Sequence, residues 1–274
     1  MKVLIACDME GISGVVNWNQ VNPTHAEYQR FRQVMTGDVN AAIEGIANAG
    51  ANEILVTDGH WFSTNILIES LDSRAQLNCG SPSHFSMVQG VDSGVDAALF
   101  IGYHARVGTL HAILDHTWSS ERVFNLWLND RLCGEFGLNA AMCGAFDVPV
   151  LMVSGDQSVC AEARDWLPGI LTAQVKTAAG RMAATCLPLD QSRALISTTA
   201  ASAMFQLKDG KAPKPLKIEL PVKVTVEFFT TFMADQASML PGSVRLDGRR
   251  VSVETATVPD AYLAFRSLVN LVSV

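Results

Sequence analysis

Three short apolar runs, Lys2-Val-Leu-Ile-Ala-Cys7, Glu53-Ile-Leu-Val-Thr-Asp58 and Ala97-Ala-Leu-Phe-Ile-Gly-Tyr-His104, each end in a glycine-associated polar cluster. The clusters are Asp8-Met-Glu10-Gly11, Asp58-Gly59-His60 and Gly102-Tyr-His104. Runs of this length, apolar throughout and closed by turn residues, describe strands buried on both faces. Between the first two, Tyr28, Phe31, Val34, Val39, Ile43 and Ile46 recur at three-to-four spacing and Gly50 follows, which predicts a helix from about Thr24 to Ala49 with a glycine stop. Strands alternating with helices predict an α/β fold, a mostly parallel central sheet flanked by helices. In such sheets ligands bind beyond the carboxyl ends of the strands, and all three polar clusters fall there.

Further along, Arg122–Asn129 alternates like a strand, turns at Asn129-Asp130 and returns through Arg131-Leu-Cys-Gly-Glu135, a hairpin that would deliver Glu135. Gly137–Phe146 reads as helix and Pro149–Ser154 as a buried strand that opens on Gly155-Asp156-Gln157. Beyond Leu187 the pattern changes to a helix (Gln191–Phe205), a lysine-rich connector, a long strand (Leu216–Phe229) and a last helix from Pro259 towards Val269. This predicts an α/β domain over 1–186 that carries the polar clusters, and a smaller α+β C-terminal domain over 187–274.

Composition narrows the function classes. With 274 residues, 49% of them hydrophobic, the chain can bury one large core, or one core with an appended domain. Its formal net charge of -7 removes the counterion release that drives nucleic-acid binding, so no nucleic-acid partner is expected. The one basic cluster, Lys208 to Lys223, is interrupted by Pro213, Pro215 and Pro221 and reads as a solvated loop and strand edge. A charged fraction of only 17% points to apolar surface hidden between subunits, hence a homo-oligomer, with a generous monomer core as the alternative reading. Six cysteines without a C-x-x-C pair read as reduced, buried thiols. The first apolar run is too short for a signal-peptide core, and no stretch approaches the ~18 apolar residues of a membrane span. No membrane contact and a cytoplasmic location are expected.

Collected from the strand ends, Asp8, Glu10, Asp58, His60, His104 and Glu135 form a mixed carboxylate and imidazole set, with His111 and His116 nearby in sequence. Asp8 and Glu10, two apart in extended backbone, can aim at one point. Such donors suit zinc or a related divalent metal. The set exceeds the needs of one catalytic zinc and fits two metals that share a bridging carboxylate. Taken singly, each residue has a plainer reading: an acid that caps a turn, or a hydrogen-bonded structural histidine. Asp58 reads as a residue that orients a ligand or fixes the Asp-Gly turn, and His25 and His84 as surface residues.

Asp8-Met-Glu-Gly-Ile-Ser-Gly14, Asp58-Gly-His60, Gly102-Tyr-His-Ala-Arg-Val-Gly108, His116-Thr-Trp118 and Gly134-Glu-Phe-Gly-Leu-Asn-Ala140 resemble, in order and spacing, the motifs of the M55 metallopeptidases, D-aminopeptidases of the dipeptide-transport operon type. The C-terminal third carries none of them. The resemblance implies two Zn2+ per subunit, one held by Asp8, Glu10 and His60, the other by Asp8, His104 and Glu135. It makes His116 the catalytic residue, and it implies removal of N-terminal D-residues, D-alanine above all, from short peptides or amides by subunits assembled as decamers. On chemical grounds a metal-activated water is the attacking group and His116 a general base or acid. Two rivals stay open: a two-metal phosphoesterase or amidohydrolase, and a non-catalytic, metal-stabilised binding protein.

Overall fold

The alternation of apolar runs with amphipathic stretches is carried into the fold almost element for element in the N-terminal half. The computed structural model describes residues 1–273. The chain runs β1 (Lys2–Cys7), α1 (Tyr28–Asn48), β2 (Glu53–Asp58), β3 (Ala75–Asn78), β4 (Ala97–Ile101), β5 (Val123–Leu128), β6 (Arg131–Leu132), α2 (Glu135–Ala145) and β7 (Val150–Asp156). It continues through α3 (Gln157–Trp166), β8 (Leu171–Gly180), β9 (Ala183–Cys186), α4 (Leu189–Lys208), β10 (Val222–Phe228), α5 (Thr231–Ala237), β11 (Ser243–Arg245), β12 (Arg250–Thr255) and α6 (Val258–Asn270).

A seven-stranded sheet in the order β3-β2-β1-β4-β7-β8-β9 is parallel apart from its last pair. The chain first builds outward from β1 through β2 to β3, then returns to lay β4 on the other side of β1 and continues through β7 and β8. The reversal puts a topological switch point between β1 and β4, where the loops after the two strands leave in opposite directions and open a crevice. Side chains of β1 alternate between two cores. Val3, Ile5 and Cys7 pack beneath α1 and α4, while Leu4 and Ala6 join Phe136 of α2, Val159 of α3 and Phe265 of α6. The central sheet is thus covered by helices on both faces.

A second, antiparallel sheet has the order β11-β12-β10-β5-β6. It takes β5 and β6 from before residue 187 and β10 to β12 from after it, so residues on both sides of the expected boundary share one sheet. Likewise α4, which follows that boundary, lies against α1 and the central sheet.

Several local expectations are revised. The β5–β6 hairpin turns at Asn129 and Asp130 with φ of 45° and 67°, the left-handed pair that a two-residue hairpin of type I′ requires. However, β6 is only two residues long, and Glu135 opens α2 rather than closing a strand. The strand expected from Leu216 begins at Val222, directly after Pro221, which has no N–H to give to a ladder. Residues 157–186, to which the sequence reading assigns no element, form α3, β8 and β9. Among the six cysteines, Cys79 is exposed and Cys186 half-buried, against the expectation that all are buried. No helix among the described residues is long and apolar enough to cross a membrane.

Candidate metal centre

The loops after β1, β2 and β4 are stitched together by main-chain hydrogen bonds before any side chain is considered. Gly59 N–H donates to Cys7 O at 2.8 Å, Asp8 N–H to Ile101 O at 2.9 Å and Gly11 N–H to Gly102 O at 2.8 Å. The backbones approach so closely that a Cβ at Gly11 would stand 1.9 Å from Tyr103 O. A Cβ at Gly102, where φ is +75°, would stand 2.3 Å from Asp8 O, and this glycine turns the chain towards His104.

This stitching brings Asp8, Glu10, His60 and His104 to one place, and the start of α2 adds Glu135. All five are buried. His60 Nδ1 lies 3.3 Å from Asp8 Oδ1 and 3.2 Å from Glu10 Oε2. His104 Nε2 lies 3.3 Å from Asp8 Oδ2 and 3.2 Å from Glu135 Oε1. Asp8 therefore divides its two oxygens between two imidazoles. His116 joins from the loop after β4, with Nε2 3.8 Å from Glu135 Oε1 and its ring stacked on His104 at a centroid distance of 4.0 Å. Trp18 meets the His116 ring edge-on at 5.4 Å.

Each histidine uses one nitrogen on a main-chain carbonyl and turns the other inward. His60 Nε2 donates to Val21 O at 2.8 Å, His104 Nδ1 to Ala105 O at 3.0 Å and His116 Nδ1 to Leu114 O at 2.8 Å. Those bonds fix each ring and turn its second nitrogen towards the carboxylates, the atom that would bind a metal once free of its proton. Asp8 Oδ2, Glu10 Oε2 and His104 Nε2 are buried without a hydrogen-bond partner. Orphaned polar atoms of this kind are rare unless an ion or water satisfies them. Two ligands each about 2.0–2.1 Å from one tetrahedral zinc stand roughly 3.3 Å apart, so the measured separations fit a shared cation.

The charges point the same way. Burial pushes the Asp8 carboxyl up, but the neighbouring imidazoles of His104 and His60 outweigh it and hold the group well below the usual carboxylate range. Glu10 is lowered likewise, burial being overcome by the charge of His60. Burial opposes charge on His60 and His104, yet Glu10 with Asp8, and Glu135 with Asp8, raise the two well above the ordinary histidine value. His116 goes the other way, lowered by burial and by His104. Ionised Asp8 and Glu10 draw positive charge to this place, either a proton on the imidazoles or a cation in its stead.

Asp58 stays out of this set. Its oxygens accept from Asn65 N at 2.5 Å, Ile66 N at 2.8 Å and Asn65 Nδ2 at 2.8 Å, and Asn65 Nδ2 also donates to His60 O at 2.6 Å. It shapes the loop that carries His60. His111 lies apart, with Nδ1 on Ala179 O at 3.1 Å, and His25 and His84 are exposed. Sequence reasoning missed the supports around the centre. Trp118 N–H donates to Glu135 Oε1 at 2.6 Å, Asp156 Oδ2 accepts from Ile113 N at 2.7 Å and so pins the loop of His116, and Lys176 lies buried under the loop of Glu10. A single charge, Lys176, inside a strand of otherwise uncharged residues is the one signal among these that a sequence carries.

A parallel α/β sheet whose switch point presents three carboxylates and three imidazoles within contact defines the class, an α/β protein built to hold divalent metal. The chain belongs to the Peptidase_M55 family, the D-aminopeptidases, whose family model matches residues 1–267. It is 36% identical over 273 residues to the D-aminopeptidase of Bacillus subtilis (strain 168), covering 99% of this chain and 97% of that protein. It also matches the solved structure of the Zn-dependent D-aminopeptidase DppA from Bacillus subtilis, described as a self-compartmentalizing protease, with a TM-score of 0.95 at 35% identity over 99% of this chain and 97% of that one. These matches extend through the C-terminal third, where the sequence reading found no motif.

Proposed function

We propose that the chain is a zinc-dependent D-aminopeptidase with two Zn2+ per subunit, cleaving N-terminal D-residues of the D-alanine type from short peptides or amides. The observation that carries this reading is Asp8, whose two oxygens face different histidines, as a bridging carboxylate requires. Asp8, Glu10 and His60 would hold one ion; Asp8, His104 and Glu135 would hold the other. Bound zinc supplies Lewis acidity, which polarises a scissile carbonyl and lowers the pKa of water towards neutrality.

His116 supplies the proton chemistry. With Nδ1 committed to Leu114 O and its pKa held down, its Nε2 carries a lone pair at the mouth of the centre. That atom takes the proton of the attacking water and returns it to the departing amine. Stacking on His104 and the edge contact from Trp18 keep the ring in place while it does so.

The relative described as self-compartmentalizing supports a homo-oligomer; a decamer, and short peptides as substrates, are what the family resemblance implies. A cytoplasmic location accords with the lack of a membrane-crossing helix among the described residues. The test is zinc content together with hydrolysis of D-Ala-D-Ala, its L-counterpart and p-nitrophenyl phosphate, before and after chelation and zinc return. The expected result is two zinc ions and zinc-dependent cleavage of the D-peptide alone. Full cleavage by stripped protein, or turnover of the phosphate ester only, would rule the reading out.

A further inference from the structure

Lys176 stands in β8 with its side chain 1% exposed. Its Nζ donates to three main-chain carbonyls, Glu10 O at 2.6 Å, Ile12 O at 2.9 Å and Val15 O at 2.7 Å. Three acceptors need three N–H groups, so the geometry is that of the ammonium and uses every donor it has. All three partners are dipoles and none is a carboxylate. A buried cation held this way is costly beside an apolar side chain of similar length, and its presence has to be explained by what it organises.

What it organises is the loop leaving β1. The three carbonyls belong to the span from Glu10 to Val15, and they converge on one atom from a strand more than 160 residues away in sequence. On the other side of the same loop, Gly11 N–H is held by Gly102 O at 2.8 Å and Ser13 N–H by the buried carboxylate of Asp38 at 3.0 Å. With the peptide that follows Glu10 held through both its carbonyl and its N–H, the main chain carrying the side chain is fixed, and Oε2 arrives 3.2 Å from His60 Nδ1.

We infer that Lys176 is a positioning residue for Glu10, gathering the carbonyls of the β1 loop so that the carboxylate is set against His60. The inference rests on the reading of Glu10 as a metal ligand. It places Lys176 behind one half of the centre only, because His104 and Glu135 are delivered by β4 and α2, which it does not touch. The side chain itself meets no atom that faces a substrate.

The experiment compares Lys176→Met and Lys176→Gln with wild type by zinc titration against a chromophoric chelator, thermal unfolding of the zinc-free proteins and D-Ala-D-Ala hydrolysis. Expected are folded zinc-free variants, one zinc of the two bound roughly 10–100-fold more weakly, and the other unchanged. Adding Glu10→Ala to Lys176→Met should weaken that zinc little further than Glu10→Ala alone, the non-additivity of residues acting through one another. Unchanged affinity for both ions, equal loss of both, or failure of both variants to fold with zinc present overturns the inference. A wild-type protein that binds fewer than two zinc ions instead overturns the two-metal reading, and the inference with it.

Discussion

Asp8 and Glu10 lie two residues apart, yet their surroundings give them unequal roles. Asp8 lies 3.3 Å from both His60 and His104, whereas Glu10 has His60 at 3.2 Å and His104 only within 4.8 Å. Asp8→Ala should therefore empty both metal positions and Glu10→Ala should weaken one, a difference readable as zinc per subunit by mass spectrometry. His116→Ala should keep two zinc ions and lose on the order of 10²–10⁴-fold in kcat, the usual contribution of a positioned proton donor or acceptor. A variant that lost its zinc would reveal His116 as a ligand instead. The pH response follows from the raised imidazoles. In zinc-free protein, the stability that His60 and His104 gain as imidazolium among carboxylates is fully present below about pH 6.5 and is lost as pH rises through their elevated folded values. The lowered Asp8 and Glu10 act oppositely, but only in acid, below about pH 4. Zinc needs the imidazoles deprotonated, so the gap in Tm between zinc-loaded and chelated protein should widen steadily from pH 6 to pH 9. A constant gap would show that the histidines do not compete with the metal for protons. At this scale the acids and histidines were legible because each interrupts or follows an apolar run. Lys176 and Asp156 were not, since their meaning lies in loops that only the fold brings to them.

At the scale of elements, the centre depends on three strand ends and one helix start meeting in register. Cys7 pairs with Asp58 on one side and Ile101 on the other, so the chain leaves all three strands at the same level. Glu135 comes from the first turn of α2, where the positive end of the helix dipole favours an ionised carboxylate. The strands and this helix were legible from hydrophobic runs of two lengths, although the route to Glu135 was misread as strand, because the alternation of Arg122–Asn129 continues for only two residues after the turn. The meeting itself rests on glycine. Gly11→Ala would drive a methyl into Tyr103 O, a backbone atom that cannot move without shifting the segment bearing His104. Overpacking of this kind costs about 1–3 kcal/mol. Gly11→Ala should lower Tm and reduce zinc affinity at both positions together, because it separates the β1 and β4 loops. Loss of stability with both affinities intact would show that the loops tolerate the shift.

For the whole molecule, the question is whether residues 1–186 make a unit that stands without the rest. Sequence character changes near Leu187, and a boundary there is what local patterning suggests. Long-range pairing is invisible to such patterning: β5 lies against β10, with Leu128 opposite Val224 and Leu126 opposite Val226, partners 96 and 100 residues apart in sequence. A chain ended at Cys186 would leave β5 and β6 as a lone hairpin, marginal in water without a third strand. It would also uncover the faces that α4 and α6 now bury, including α1 at Gly45, which lies against Ser197 and Ala200 of α4, and the side of α2 that packs on α6. The loss reaches the centre through a buried hydrogen-bond relay. Tyr262 of α6 donates to Asn139 of α2 at 3.3 Å, and Asn139 Nδ2 donates to the hydroxyl of Tyr103, the residue before His104. Residues 1–186 expressed alone should accordingly be insoluble or lack a cooperative thermal transition, with no retained zinc. Co-expression with residues 187–274 should restore a soluble, zinc-binding complex, since both halves of the antiparallel sheet would again be present. A soluble 1–186 fragment that melts cooperatively and holds two zinc ions would show that the parallel sheet alone folds the centre, and that the antiparallel sheet serves some purpose other than supporting it.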